Sequence, residues 1–176
     1  MRHGYTVAQI RDAEAQAFEV VGPDALMQRA SAGLATAILR RLRVGLGHPV
    51  GRRGGVYGAR VLLVVGSGNN GGDALFAGAI LARRGVRVTA WRTGSAVHEA
   101  GWAALLAAGG REVDARTALA GLPAQRYVVD GVAGIGSRPG LAPDVAAFAS
   151  ACTEQGVPVV AVDLPSGLAP EPPFSE

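Results

Sequence analysis

Apolar positions in the first quarter of the chain recur at helical spacing, whereas those in the remainder come in short blocks. Leu26, Met27, Ala30, Leu34, Ile38 and Leu42 follow the helical repeat, which places them on one face of an α-helix. Pro23 opens that run, where a proline's missing N–H costs nothing. Ahead of it, Thr6-Val7-Ala8-Gln9 has the form of a capping box and predicts a helix over about residues 6–20. Residues 45–58 form a Gly/Arg/Pro connector without periodicity, which reads as a loop. Four short apolar runs then appear: RVLLVV (60–65), VRVTAW (86–91), RYVVD (126–130) and PVVAVD (158–163). They read as strands, the first buried on both faces. Helical stretches separate them: GDALFAGAILARRG (72–85), SAVHEAGWAALLAAGG (95–110) and PDVAAFASACTEQG (143–156). Ser95 is the expected cap of the second, and Gly109-Gly110 its stop. The alternation predicts an α/β fold, a Rossmann-like three-layer αβα sandwich with a parallel sheet, preceded by two N-terminal helices.

Composition narrows the chemistry. The 176 residues suit one domain over 1–176, and 49% hydrophobic residues supply a core. All 17 basic residues are Arg, and the absence of Lys excludes Schiff-base enzymes and P-loop nucleotidases. A net charge of +3 does not call for nucleic acid. Arg40, Arg41, Arg43, Arg52 and Arg53 read as a solvated helix end and connector. Cys152 is the single cysteine, so no intrachain disulfide is expected. The N-terminus lacks a signal peptide's apolar segment, and no run approaches the ~18 apolar residues of a membrane span. These features predict a cytoplasmic protein without nucleic-acid or membrane partners.

Three of the predicted strands end in polar loops. The first runs into GSGNNGGD (66–73), the third into Asp130 and GVAGIGSRPG (131–140), and the fourth into Asp163 and LPSG (164–167). The C-terminal ends of parallel strands share one edge, where open α/β sheets bind ligands. Asn69, Asn70, Asp73, Asp130, Asp163 and Ser166 are therefore expected to converge. Residues 66–71 also satisfy G-x-G-x-x-G between strand and helix, which suits a phosphate at a helix N-terminus. The acid of a dinucleotide dehydrogenase is missing from the end of the second strand, which reads Trp91-Arg92-Thr93. Arg92 there reads either as a phosphate contact or as a solvated arginine. Asp73 reads either as a site residue or as a helix cap. His3, His48 and His98 read as solvent-facing, and Trp91, Trp102, Phe148 and Cys152 as packing residues.

GSGNNGGDALFAG, VVDGVAGIGSRPG and VVAVDLPSG, in that order and spacing, resemble the three motifs of the YjeF N-terminal domain family, whose enzyme members are NAD(P)H-hydrate epimerases. TVAQIRDAEAQAF and ALMQRASAGLA resemble that family's opening helix pair. The resemblance implies interconversion of the R and S forms of NADHX and NADPHX, nicotinamide cofactors to which water has added. It implies a K+ ion held by Asn70, Asp130 and Ser166. Substrate contacts would come from Asn69, Asn70, Gly71, Gly72 and Asp73, from Gly134, Ile135, Gly136, Ser137, Arg138, Pro139 and Gly140, and from Asp163. Asp163 is the expected general acid/base. The resemblance further implies a homodimer, working with an NAD(P)HX dehydratase that is either fused or separate.

The chain departs from the family pattern in four places. Ala74 replaces a usual glycine, Gly131 a usual alanine, and Ile135 a usual threonine. After PSG comes only LAPEPPFSE, so the domain's last strands are expected to be missing. Two other readings are a non-catalytic nucleotide- or protein-binding module of the same type and an NAD(P)-dependent dehydrogenase.

Overall fold

The computed structural model describes residues 5–45, 55–136 and 138–169. Helix α1 (Val7–Val21) begins with the expected box: Gln9 N donates to Thr6 Oγ1 at 3.2 Å and Thr6 N to Gln9 Oε1 at 2.9 Å. Helix α2 (Pro23–Val44) carries the apolar stripe. The core proper runs β1 (Arg60–Val65), α3 (Asn69–Arg83), β2 (Arg87–Arg92), α4 (Glu99–Ala107), β3 (Arg111–Glu112), α5 (Ala115–Ala120), β4 (Tyr127–Gly131), α6 (Pro143–Glu154) and β5 (Val159–Ala161). All strand pairs are parallel, in the order β3-β2-β1-β4-β5.

Side chains alternate across the sheet as the pleat requires. Val61, Leu63 and Val65 of β1 pack with Ile38 and Leu42 of α2, Leu75 and Leu81 of α3 and Leu105 of α4. Leu62 and Val64 face the other way, onto Ala118 of α5 and Val145, Phe148 and Cys152 of α6. Helices thus cover both faces, and β1, buried from Val61 onward, forms the centre. Cys152 is core, its thiol pushed up to about 11 by burial. Trp91 and Phe148 meet edge-on at 5.4 Å within the same layer.

Among the described residues the sheet has five strands, not the expected four. Strand β3 pairs only Arg111 and Glu112 with Thr89 and Ala90, and two residues have no periodicity to detect. Helix α5 was likewise too short for a pattern, although Asp114 caps it by accepting from Thr117 N at 2.7 Å. The cap of α4 is His98, whose Nδ1 accepts from Gly101 N at 3.1 Å, and not Ser95. Helix α3 starts at Asn69, three residues ahead of the expected start. The last strand covers only Val159–Ala161. His3, His48, Arg52, Arg53 and most of the connector lie outside the described residues. No helix among the described residues is long and apolar enough to cross a membrane.

Candidate active site

Strand order reverses beside β1: β2 and β3 lie on one side, β4 and β5 on the other. The loops leaving β1 and β4 therefore part at a topological switch point, where open α/β sheets bind ligands. A cleft of about 780 Å³ opens there, walled by Asn69, Asn70 and Asp73 of α3, Gly134 to Gly136 after β4, and Asp163 after β5. The glycines of the first loop make this closeness possible. A Cβ on Gly66 would lie 2.1 Å from Val132 O, and one on Gly71 2.2 Å from Gly66 O. These two glycines press the start of α3 onto the sheet, which is a packing role beyond the phosphate-loop reading.

Asp130 and Ser166, 36 residues apart, lock the second and third loops together. Ser166 N donates to Asp130 Oδ2 at 2.8 Å, and Ser166 Oγ lies 2.6 Å from Asp130 Oδ1. Val132 N donates to the same carboxylate at 3.2 Å, and Ala133 N donates to Ser166 Oγ at 2.9 Å. Asp163 Oδ2 accepts from Ile135 N at 2.8 Å. Asp163 adopts φ 66°, the one positive φ among the described non-glycine residues. That conformation costs an L-residue roughly 1–2 kcal/mol, less for Asp than for most, and such strain gathers at functional sites. A Cβ on Gly134 would meet Asp163 Oδ2 at 2.7 Å and Asn70 Oδ1 at 3.1 Å, so these two side chains flank one backbone position. Asn70 Nδ2 is buried without a hydrogen-bond partner among the described residues, a donor that a ligand oxygen can satisfy.

Asp73 is no cap. It lies inside α3, whose N-cap is Gly68, and it faces α2. Burial pushes its carboxyl up to about 6; Ser31 and His98 pull it down, while Asp163 and Glu14 push it up by less. Ser31 Oγ sits 3.2 Å from Asp73 Oδ1 and 2.7 Å from Met27 O. His98 is half-buried, packed edge-on against Phe76 at 5.6 Å, rather than solvent-facing. Together with Asn69, Asp73 and Met27 it lines a smaller pocket of about 240 Å³.

The expected substrate loop divides. Gly134, Ile135 and Gly136 line the cleft, whereas Arg138, Pro139 and Gly140 are exposed and lie outside its walls. Gly140 N bonds Gly167 O at 2.9 Å, tying that segment to the PSG turn. Ser137 falls outside the described residues. Gly71 and Gly72 are buried behind the cleft wall. Arg92 pairs with Glu112 at 2.6 Å and stacks 5.1 Å over Trp102, so its place is structural. Ser31, His98, Arg11 and Glu14 join the site without having been singled out as site residues. Only Ser31 left a signal, a polar residue on the apolar stripe of α2. Arg11 and Glu14 look like any exposed helix residues until α1 is set across the cleft.

Comparison with known proteins fits this geometry. The sequence profile of the family described as YjeF-related protein N-terminus matches residues 23–172. The chain belongs to this family. It is 47% identical over 169 residues to the bifunctional NAD(P)H-hydrate repair enzyme Nnr of Mycobacterium leprae, covering 96% of this chain and 33% of that relative. It is 40% identical over 177 residues to the NAD(P)H-hydrate epimerase of Clavibacter michiganensis, covering 94% of this chain and 70% of that relative. The chain thus spans about a third of the length of the bifunctional relatives. The crystal structure of yeast ynu0 shares the fold, with a TM-score of 0.69 at 21% identity over 89% of this chain and 69% of that one. The family's three motifs are the three loops that meet at the switch point.

Proposed function

We propose that this chain interconverts the R and S epimers of hydrated NADH and NADPH, a reading supported by its similarity to an NAD(P)H-hydrate epimerase and to bifunctional NAD(P)H-hydrate repair enzymes. The observation that carries the reading is the gathering of Asn70, Asp73, Gly134 and Asp163 on one cleft at the switch point. Epimerisation needs the carbinol hydroxyl to leave and water to return on the opposite face. Both steps need a proton carrier, and the cation between them is favoured by nearby carboxylates. Asp163, its Oδ2 fixed by Ile135 N–H, supplies both needs. The pyrophosphate is assigned to the start of α3, whose N–H groups and dipole favour an anion, and to the turn at Gly134 to Gly136.

A K+ ion fits the oxygen cluster beneath. Ser166 Oγ lies 2.6 Å from Asp130 Oδ1 and 3.1 Å from Ala133 O, yet one hydroxyl hydrogen serves both acceptors. That surplus of lone pairs around one negative charge is the donor set a hard cation takes. Asn70, whose main-chain oxygen would lie 3.2 Å from a Cβ on Gly131, is the proposed third ligand. Bound there, the ion would add positive charge for the phosphates. Asp130 and Ser166 themselves hold the two loops in register. A cytoplasmic address, a homodimer through the exposed side of α1, where Phe18 and Val20 are solvent-facing, and a dehydratase partner, fused or separate, belong to the same proposal.

The test is direct. Purified chain is mixed with one NADPHX epimer, and exchange is followed by chromatography against the uncatalysed rate, with K+ and with Na+. Acceleration that depends on K+ is expected. Hydrate binding without acceleration would leave the chain a binding module.

A further inference from the structure

Under the epimerase reading, on which this inference rests, the ligand brings a diphosphate into a cleft whose charges are mostly of the same sign. Glu14, Asp73 and Asp163 line it, and Arg11 is the one cation among the described walls. The chain holds no Lys, so a guanidinium is the cation it has to offer. Beside the carboxylates a diphosphate is repelled, and the low-dielectric walls of a cleft strengthen such repulsion. Arg11 therefore decides where along the cleft a diphosphate can lie.

Its place is set by α1. A Cβ on Gly136 would lie 3.4 Å from Arg11 Nη2, so the side chain reaches from the second turn of α1 to the turn after β4. Ser67, Gly68 and Asn69 line the same cleft. There α3 begins, and its N-cap, Gly68, gives it no side-chain cap. Its first N–H groups and the positive end of its dipole are left to a ligand. Arg11 is likewise unanswered by the protein. Glu14 follows one turn later on α1, yet the one ion pair among the described residues joins Arg92 and Glu112. Two positive features, a guanidinium and an uncapped helix start, thus open on one cleft.

We infer that Arg11 binds the diphosphate of the substrate, sharing it with the start of α3 and the turn at Gly134 to Gly136. The planar fork of a guanidinium donates paired hydrogen bonds to phosphate oxygens. The diphosphate is common to both hydrates, so Arg11 acts on NADHX and NADPHX alike. A contact to the ribose 2′-phosphate, which NADPHX alone carries, would act on one of them. Arg11 is exposed and helix α1 buries none of its residues. Replacing this side chain therefore strips no buried group of a partner, and the variants below are expected to fold.

Two measurements test this, and one of them needs no reaction. In the exchange assay, Arg11→Ala should raise KM for NADHX and for NADPHX by about tenfold or more, with kcat lowered less than about threefold. Arg11→Lys should recover part of the loss, because it restores the charge but not the fork. A KM in Arg11→Ala within about twofold of wild type, or a rise confined to NADPHX, overturns the assignment. In the second measurement, inorganic pyrophosphate is titrated into 15N-labelled protein, and the amide resonances of Gly134, Ile135 and Gly136 are followed. Saturable shifts are expected in the wild type, with affinity weakened about tenfold or more in Arg11→Ala. Resonances that do not move in the wild type, or equal affinity in Arg11→Ala, overturn the inference even in an active enzyme. A chain that binds pyrophosphate through Arg11 yet catalyses no exchange overturns the epimerase reading and leaves Arg11 the anion-binding residue of the cleft.

Discussion

The two edges of the sheet both open into cavities, and they are built on opposite principles. At the C-terminal edge, Asp130 binds Ser166 and Asp163 binds Ile135 N–H, two pairs that join the loops after β4 and β5. At the N-terminal edge, a cavity of about 570 Å³ is lined by Arg60, Arg87, Arg111 and Gln125, with no carboxylate among its described walls. The three arginines are exposed, and among the described residues the Gln125 side chain bonds locally, to Gly121 O four residues back. Volume therefore does not distinguish the two. What does is interlocking: half-buried polar groups are kept where groups distant in sequence satisfy them. Strand order adds the second difference, since only at the C-terminal edge do the loops leave a switch point open.

Substitutions at the two edges can break or sharpen that contrast. The largest effect is expected at Asp163. Asp163→Asn should slow epimer exchange by about 10²–10⁴ with an unchanged melting profile, read by chromatography and thermal unfolding. A full rate would remove Asp163 from the chemistry. Next is Ser166→Ala, which leaves Ala133 N and the Asp130 carboxylate short of partners. It should cost about 1–3 kcal/mol in urea unfolding and abolish the proposed K+ dependence. Unchanged stability would mean that the interlock is ornamental.

A smaller effect ties together two of the departures from the family pattern. A Cβ on Gly131 would lie 2.6 Å from the Cβ of Ala74. Ala74 stands where glycine is usual and Gly131 where alanine is usual, so one methyl has moved across a single contact between α3 and β4. Gly131→Ala alone should destabilise by about 1–3 kcal/mol through overpacking. Adding Ala74→Gly should recover most of that, leaving about 1 kcal/mol of helix propensity. Additive losses in the double variant would separate the two positions. Smallest is Arg87→Ala at the other edge, expected within about 0.5 kcal/mol of wild type and with exchange unchanged. A large loss of exchange there would end the distinction between the edges.

The sequence by itself determined the layer order and which strand ends carry polar residues. Apolar runs of five or six residues and capped helices are local patterns, fixed by the pleat, the helical repeat and the turn residues. It also placed Asn69, Asn70, Asp73, Asp130, Asp163 and Ser166 on one edge, because parallel strands leave no other arrangement. Periodicity could not reveal β3, which is held by two residues of register with β2. Nor could it assign Arg92 to Glu112, Ser31 to Asp73, or Ala74 to Gly131. Those pairings join residues 20, 42 and 57 positions apart. Only packing of α2 and β4 against α3, and of β3 beside β2, brings them within reach. The upward shift of Asp73 is decided there as well, since its burial against α2 is a property of the folded chain.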